Sequence, residues 1–175
     1  KIQSHFHHLI AQTSTNQLSM WKLNDNDATK KVSISKVQEI NIPENVVDFY
    51  VENNFNSYVN VTVLLKDGSV WVYGKNNRGQ LGQGDYKSYE GFQKVKNIPP
   101  IVSLICQAKS CLALDQQSRI WQWGDDLLYQ NKIGRLTQHF YNPYATIILE
   151  SKKPLKSIFF DSSYQQSLYG LSTDN

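Results

Sequence analysis

The sequence predicts an all-β fold, a β-propeller built of blades of four antiparallel strands, and three observations predict it. Trp21, Tyr73 and Trp123 close three similar segments and recur at intervals of 52 and 50 residues. Each segment has the pattern of a β-hairpin: an apolar strand, a tight turn, then a strand of alternating residues. Short apolar runs preceded by Pro43, Pro99-Pro100 and Pro154 stand ahead of the later hairpins. With one more strand upstream of each proline, every period of about fifty residues holds four short strands, as a propeller blade does. About three blades are present, a partial ring, and no amphipathic helix is evident.

The hairpins justify themselves in order. The first runs from Leu9 to Trp21, with Thr15-Asn16 at its turn. The second, Val61 to Gly74, turns at Asp67-Gly68, where glycine accepts a positive φ without a Cβ clash. The third, Cys111 to Gly124, has Gln117-Ser118 at the same place, a poorer turn pair that predicts a different turn. A fourth copy starts at Ser167-Leu168-Tyr169-Gly170. The preceding runs, Val46–Val51, Ile101–Ile105 and Leu155–Phe160, are begun by proline, which ends one element and favours an extended one. Further strands are expected near residues 35–40, 92–95 and 146–149.

Composition bounds the function. The 175 residues are 40% hydrophobic and 19% charged, the balance of a folded domain. A net charge of +3 is too small and too scattered to argue for nucleic acid. No apolar run approaches the roughly 20 residues that span a bilayer, and no signal-peptide core is recognised at the start. Cys106 and Cys111 fall on inner strands and are expected to be reduced core thiols. The absence of both a signal peptide and a disulfide framework favours an intracellular setting. The sequon Asn60-Val61-Thr62 begins a strand, a poor place for a glycan.

The second copy carries the most specific motif. Val70-Trp71-Val72-Tyr73-Gly74 is followed by Asn76 and by Gly79-Gln80-Leu81-Gly82-Gln83-Gly84-Asp85. The third copy repeats it more weakly, as Trp121-Gln122-Trp123-Gly124 and Gly134-Arg135-Leu136, with five extra residues between. This pattern resembles the regulator of chromosome condensation repeat family. The resemblance implies a ring of blades with repeat units near 1–42, 43–98, 99–153 and 154–175. It makes Gly68, Trp71, Tyr73, Gly74, Gly79, Leu81, Gly82, Gly84, Asp85, Trp121, Trp123, Gly124 and Gly134 the structural motif. The first copy departs from it, with Lys22-Leu23-Asn24-Asp25 where the glycine exit should stand.

Candidate chemistry is sparse. The Gly79–Gly84 loop has no following Lys-Ser/Thr and no helix, so phosphate has neither ammonium nor dipole. It is read as structural, with Leu81 packing between blades and Asp85 capping the loop. His5, His7 and His8 cluster without carboxylate or Cys at ligand spacing and are read as ordinary strand or surface residues. No nucleophile–base constellation is visible. No catalytic residue, metal or cofactor is expected. The loop from Asp125 to Tyr144 is the longest, and Leu127, Leu128, Tyr129, Phe140, Tyr141 and Tyr144 on it are candidate partner contacts.

The reading is therefore a non-enzymatic scaffold or protein-interaction module, a subunit of a large assembly, with other protein chains as partners. One alternative, implied by the resemblance, is a guanine-nucleotide exchange factor for a small GTPase. Another is a regulatory propeller appended to an enzyme outside this span.

Overall fold

The computed structural model describes residues 2–5, 8–12, 18–26, 31–39, 45–53, 59–107, 109–125, 141–161 and 167–173. Every element among them is a strand. The first sheet holds β1 (Ile2–His5), β2 (His8–Gln12), β3 (Leu18–Asn26) and β4 (Lys31–Glu39). The second holds β5 (Val46–Asn53), β6 (Val59–Leu65), β7 (Val70–Gly74) and β8 (Tyr89–Lys94). The third holds β9 (Ile101–Gln107), β10 (Ser110–Asp115), β11 (Arg119–Asp125) and β12 (Tyr141–Glu150). A last hairpin pairs β13 (Leu155–Asp161) with β14 (Ser167–Ser172). Within each sheet the strands lie side by side in chain order, all antiparallel. The leading strands touch in series, β1 on β5, β5 on β9 and β9 on β13, so these edges converge on a common axis. This is a partial β-propeller.

Strand periodicity places the core. Side chains alternate faces, so a sheet between two others must be apolar on both. β6 and β10 are accordingly buried at every position. Val61, Val63 and Leu65 pack with Phe49 and Val51 on one face of the second sheet. Leu64, Val70 and Val72 face the other way, onto Leu104, Ala113 and Trp123 of the third sheet. Leu112, Leu114 and Ile120 leave the third sheet's far face and meet Ile158 of the last hairpin. Each such aliphatic side chain contributes roughly 1.5–3 kcal/mol on burial, which is why the sheets stack.

Three expectations need revision. Cys106 and Cys111 form a disulfide rather than two thiols. The hairpin of β9 and β10 sets them directly opposite, with Cα atoms 4.1 Å apart, the closest kind of cross-strand pair. The lack of a disulfide therefore no longer supports an intracellular setting. The Gln117-Ser118 turn does not differ from Asp67-Gly68. Ser118 takes a φ of 60° where Gly68 has 80°, and each amide closes the turn onto the carbonyl three residues back, Asp115 and Leu65. Tyr141 and Tyr144 are not loop residues: β12 begins at Tyr141, which pairs with Asp125. Aromatic residues favour strands, and the register shift between Gln122 and Gly124 accommodates Pro143 nearby.

Asn60, at the start of β6, is buried. Its side chain donates to the Lys75 carbonyl at 2.8 Å and accepts the Lys75 amide at 2.9 Å, as a backbone partner would. No helix among the described residues is long and apolar enough to cross a membrane.

Candidate functional site

β7 ends at Gly74, whose backbone presses on the second strand of its own sheet; an added Cβ would lie 2.5 Å from the Val59 carbonyl. The chain then forms a compact loop over residues 75–88. Asn76 is its hub and is fully buried. Its Nδ2 donates to the Asp85 carbonyl at 2.7 Å and to Asp85 Oδ1 at 3.0 Å, while its Oδ1 accepts the Leu81 amide at 2.9 Å. Asp85 also accepts the Lys87 amide and the Tyr89 hydroxyl. Burial opposes ionisation of this carboxyl, but the bonds from Tyr89, Lys87 and Asn76 outweigh it and hold Asp85 below the usual carboxylate range.

The glycines of this loop work by contact with the next sheet. A Cβ on Gly79 would lie 2.5 Å from Pro143 Cα, one on Gly82 2.9 Å from the Trp123 ring, and one on Gly84 2.8 Å from the Tyr144 ring. The Gly84 amide donates to the Pro143 carbonyl at 2.8 Å, and Gln83 bridges Tyr144. Leu81 is buried in the same core cluster as Trp123. The loop is therefore a clasp that the second sheet lays on the third.

A charged cluster extends the clasp. Arg78 Nη1 sits 3.0 Å from Asp125 Oδ2, and its guanidinium lies 5.1 Å from the centre of the Tyr141 ring. Nearby, both carboxylate oxygens of Glu52 accept the Lys109 amide, at 3.1 and 3.2 Å. Burial raises the Glu52 carboxyl to about 7; the Lys109 amide pulls it down, and the charge of Asp125 pushes it up. Every partner here spans the junction of the second and third sheets.

At the opposite ends of the strands the two hairpin turns carry a Trp each. Trp121 Nε1 donates to Asp115 Oδ2 at 2.9 Å, and Arg119 Nε donates to the same oxygen at 2.7 Å. Asp115 Oδ1 takes the amides of Gln117 and Arg119. Burial opposes ionisation of Asp115, but these four donors hold it below the usual range. Trp71 Nε1 instead donates to Ser69 Oγ at 3.1 Å, and that hydroxyl donates to Asp67 Oδ1 at 2.6 Å.

The structure thus brings Gly79, Leu81, Gly82, Gly84, Asp85, Trp123, Tyr141 and Tyr144 together at one junction. Gly68, Trp71 and Trp121 belong to the opposite rim, and Tyr73 stacks at 5.6 Å on Phe92 on the second sheet's other face. Gly124 exits β11 as Gly74 exits β7, with its backbone against the Lys109 carbonyl. Gly134, Leu127, Leu128, Tyr129 and Phe140 lie outside the described residues, as does His139; His5 and His8 are described as strand backbone only. Tyr141 is half-buried under Arg78, and Tyr144, though 58% exposed, rests on Gly84. The Arg78–Asp125 and Glu52–Lys109 contacts were missed by sequence reasoning; no spacing signals them, because they join different repeats. Among the described residues, no group of three or more His, Cys, Asp or Glu converges as a metal would require.

Residues 67–114 match the regulator of chromosome condensation (RCC1) repeat. The chain is similar to Protein RCC2 homolog of Danio rerio, 31% identical over 87 residues, which cover 49% of this chain and 17% of that protein. It is similar to Protein RCC2 of Homo sapiens at 29% over 83 residues, 46% of this chain and 16% of that one. The matches thus span under a fifth of the length of these curated relatives. Among solved structures it is similar in fold to yeast RCC1 (Prp20) bound to Kap60, with a TM-score of 0.70 and 18% identity over 100% of this chain and 42% of that one. Prp20p from Saccharomyces cerevisiae, studied with its binding to Gsp1p and histones, gives a TM-score of 0.58 and 19% identity over 86% and 38%.

Proposed function

This chain belongs to the RCC1-repeat β-propeller family, and on that premise we propose that it is a non-enzymatic protein-interaction scaffold, working as a subunit of a larger assembly. Its repeat units run 1–42, 43–98, 99–153 and 154–175. The observation that carries the reading is the last hairpin. Ile158, Phe160 and Leu168 pack on the third sheet, while Phe159 is 55% exposed and its cross-strand partner Tyr169 is 56% exposed, with Leu171 beside them. The second and third sheets each have such a face covered by the sheet that follows, and an exposed apolar face of this kind marks a protein contact surface, for further blades or for another chain. The Arg78–Asp125 pair and the Gly84–Pro143 bond support the same reading, because they join one blade to the next. Oxidative footprinting of the protein in its native assembly is the test. We expect Phe159 and Tyr169 to be protected there and labelled in the isolated chain; full labelling in the assembly overturns the reading.

A second reading is exchange activity toward a small GTPase. What favours it is the fold likeness to Prp20p, which was studied for its binding to Gsp1p. Acceleration of labelled-nucleotide release from such a GTPase by the full-length protein supports it, and unchanged release removes it.

A further inference from the structure

The two Trp-bearing turns differ by one missing side chain. In the third sheet the Arg119 guanidinium carbon lies 5.5 Å from the centre of the Trp121 ring, and Asp115 bonds both the guanidinium and the indole N–H. Ser69 occupies the position of Arg119 in the second sheet. The carboxylate is still there, since Asp67 reaches the Trp71 indole through the Ser69 hydroxyl. The guanidinium is not. In its place is an open cavity of about 460 Å³ lined by Trp71, Asp67, Ser69, Lys66, Lys94 and Asn45, within the usual size of a small-ligand site.

We propose that this cavity binds an arginine side chain of a partner polypeptide, one flanked by acidic residues. The guanidinium takes over Trp71 the place that Arg119 takes over Trp121, where cation and ring quadrupole attract, and its free donors face Asp67. Bonds from the Ser69 hydroxyl and amide keep Asp67 below the usual carboxylate range. Lys66 and Lys94 line the same space, so an isolated cation meets repulsion there. Neighbouring carboxylates on the partner pair with these two lysines, and all three charges of the cavity are then matched. A bare anion suits the lysines alone; it meets the Asp67 charge and the negative face of the indole. The site lies at the rim opposite the glycine clasp, and it does not depend on what covers the last hairpin.

The test titrates the full chain with a five-residue peptide, blocked at both ends, that carries one arginine between two glutamates. The same peptide with citrulline, a neutral isostere, and inorganic phosphate are the comparisons. The readout is the Trp71 indole N–H resonance, assigned through Trp71→Phe. We expect a saturable shift with arginine, at least tenfold weaker binding with citrulline, and no saturable shift with phosphate. Ser69→Arg, which supplies the missing guanidinium in cis, lowers affinity for the arginine peptide at least tenfold. Equal binding of citrulline, stronger binding of phosphate, or undiminished binding to a folded Ser69→Arg chain each overturns the proposal. The citrulline comparison needs no variant and decides the matter even if Ser69→Arg fails to fold.

Discussion

The second and third sheets solve one problem in two ways. Both must turn a chain between β-strands and house a Trp at the rim, and both do so at positions fifty residues apart. In the third sheet a fully buried carboxylate, Asp115, gathers the turn amides, the Trp121 indole and Arg119. In the second, Leu65 stands there, and an exposed carboxylate two residues on, Asp67, works through the Ser69 hydroxyl. Backbone geometry is thus kept between repeats, while the polar groups that satisfy it move. A turn needs its donors met, and any acceptor within reach meets them.

Substitution separates the two arrangements. Asp115→Ala has the largest expected effect, about 3 kcal/mol, because it removes a fully buried carboxylate that meets a half-buried indole N–H, two amides and a guanidinium. Asp67→Ala is expected to cost about 1 kcal/mol or less, since Asp67 is exposed and its two bonds come from Ser69 alone. Chemical denaturation of the two variants measures the gap, and equal losses break the comparison. The sign of the pH effect follows. Asp115 has a folded pKa below its unfolded value of about 3.9, so its contribution is present above that pH and is lost as pH falls through the folded value. The deficit of Asp115→Ala therefore shrinks in acid.

Gly124→Ala comes next. Its φ of 88° and the adjacent Lys109 carbonyl both exclude a Cβ, for a loss of about 2–3 kcal/mol; Gly74→Ala is its counterpart in the second sheet and is expected to lose a similar amount. Glu52→Gln acts in the other direction. A carboxyl raised from 4.5 to about 7 favours the fold when protonated, so its stabilising share is complete below about 4.5 and is gone above 7. The amide keeps an acceptor for the Lys109 N–H without the buried charge. Thermal melts are expected to show Glu52→Gln more stable than wild type at pH 8 and equal to it near pH 4.5. Ser118→Gly has the smallest expected effect, under about 0.5 kcal/mol. Relief of a left-handed backbone is offset by loss of the Ser118 Oγ that accepts the Leu155 amide at 2.8 Å.

Legibility followed the range of the cause. Strands, turns and the sheet order answer to local alternation and to proline and glycine, so the repeat announced them. The junction was legible only in part. Leu81 between blades and Asp85 as a loop cap follow from the motif, and the structure has both. Arg78 with Asp125 was not legible, because the partners are 47 residues apart and belong to different units. Cys106 and Cys111 illustrate a narrower failure. Each was placed on its strand, but pairing depends on register, and a shift of one residue would have sent them to opposite faces. The start of β12 at Tyr141 was hidden by the longer segment before it.

The clasp makes the neighbouring units dependent in one direction. Gly79, Gly82 and Gly84 leave their own sheet to seat against Pro143, Trp123 and Tyr144 of the following one. A piece of this protein cut after residue 98 would carry a shaped loop with nothing to grip and would bare Val70, Val72 and Leu81 to water. An excision that keeps the clasp seated therefore carries residues 99–153 together with residues 43–98.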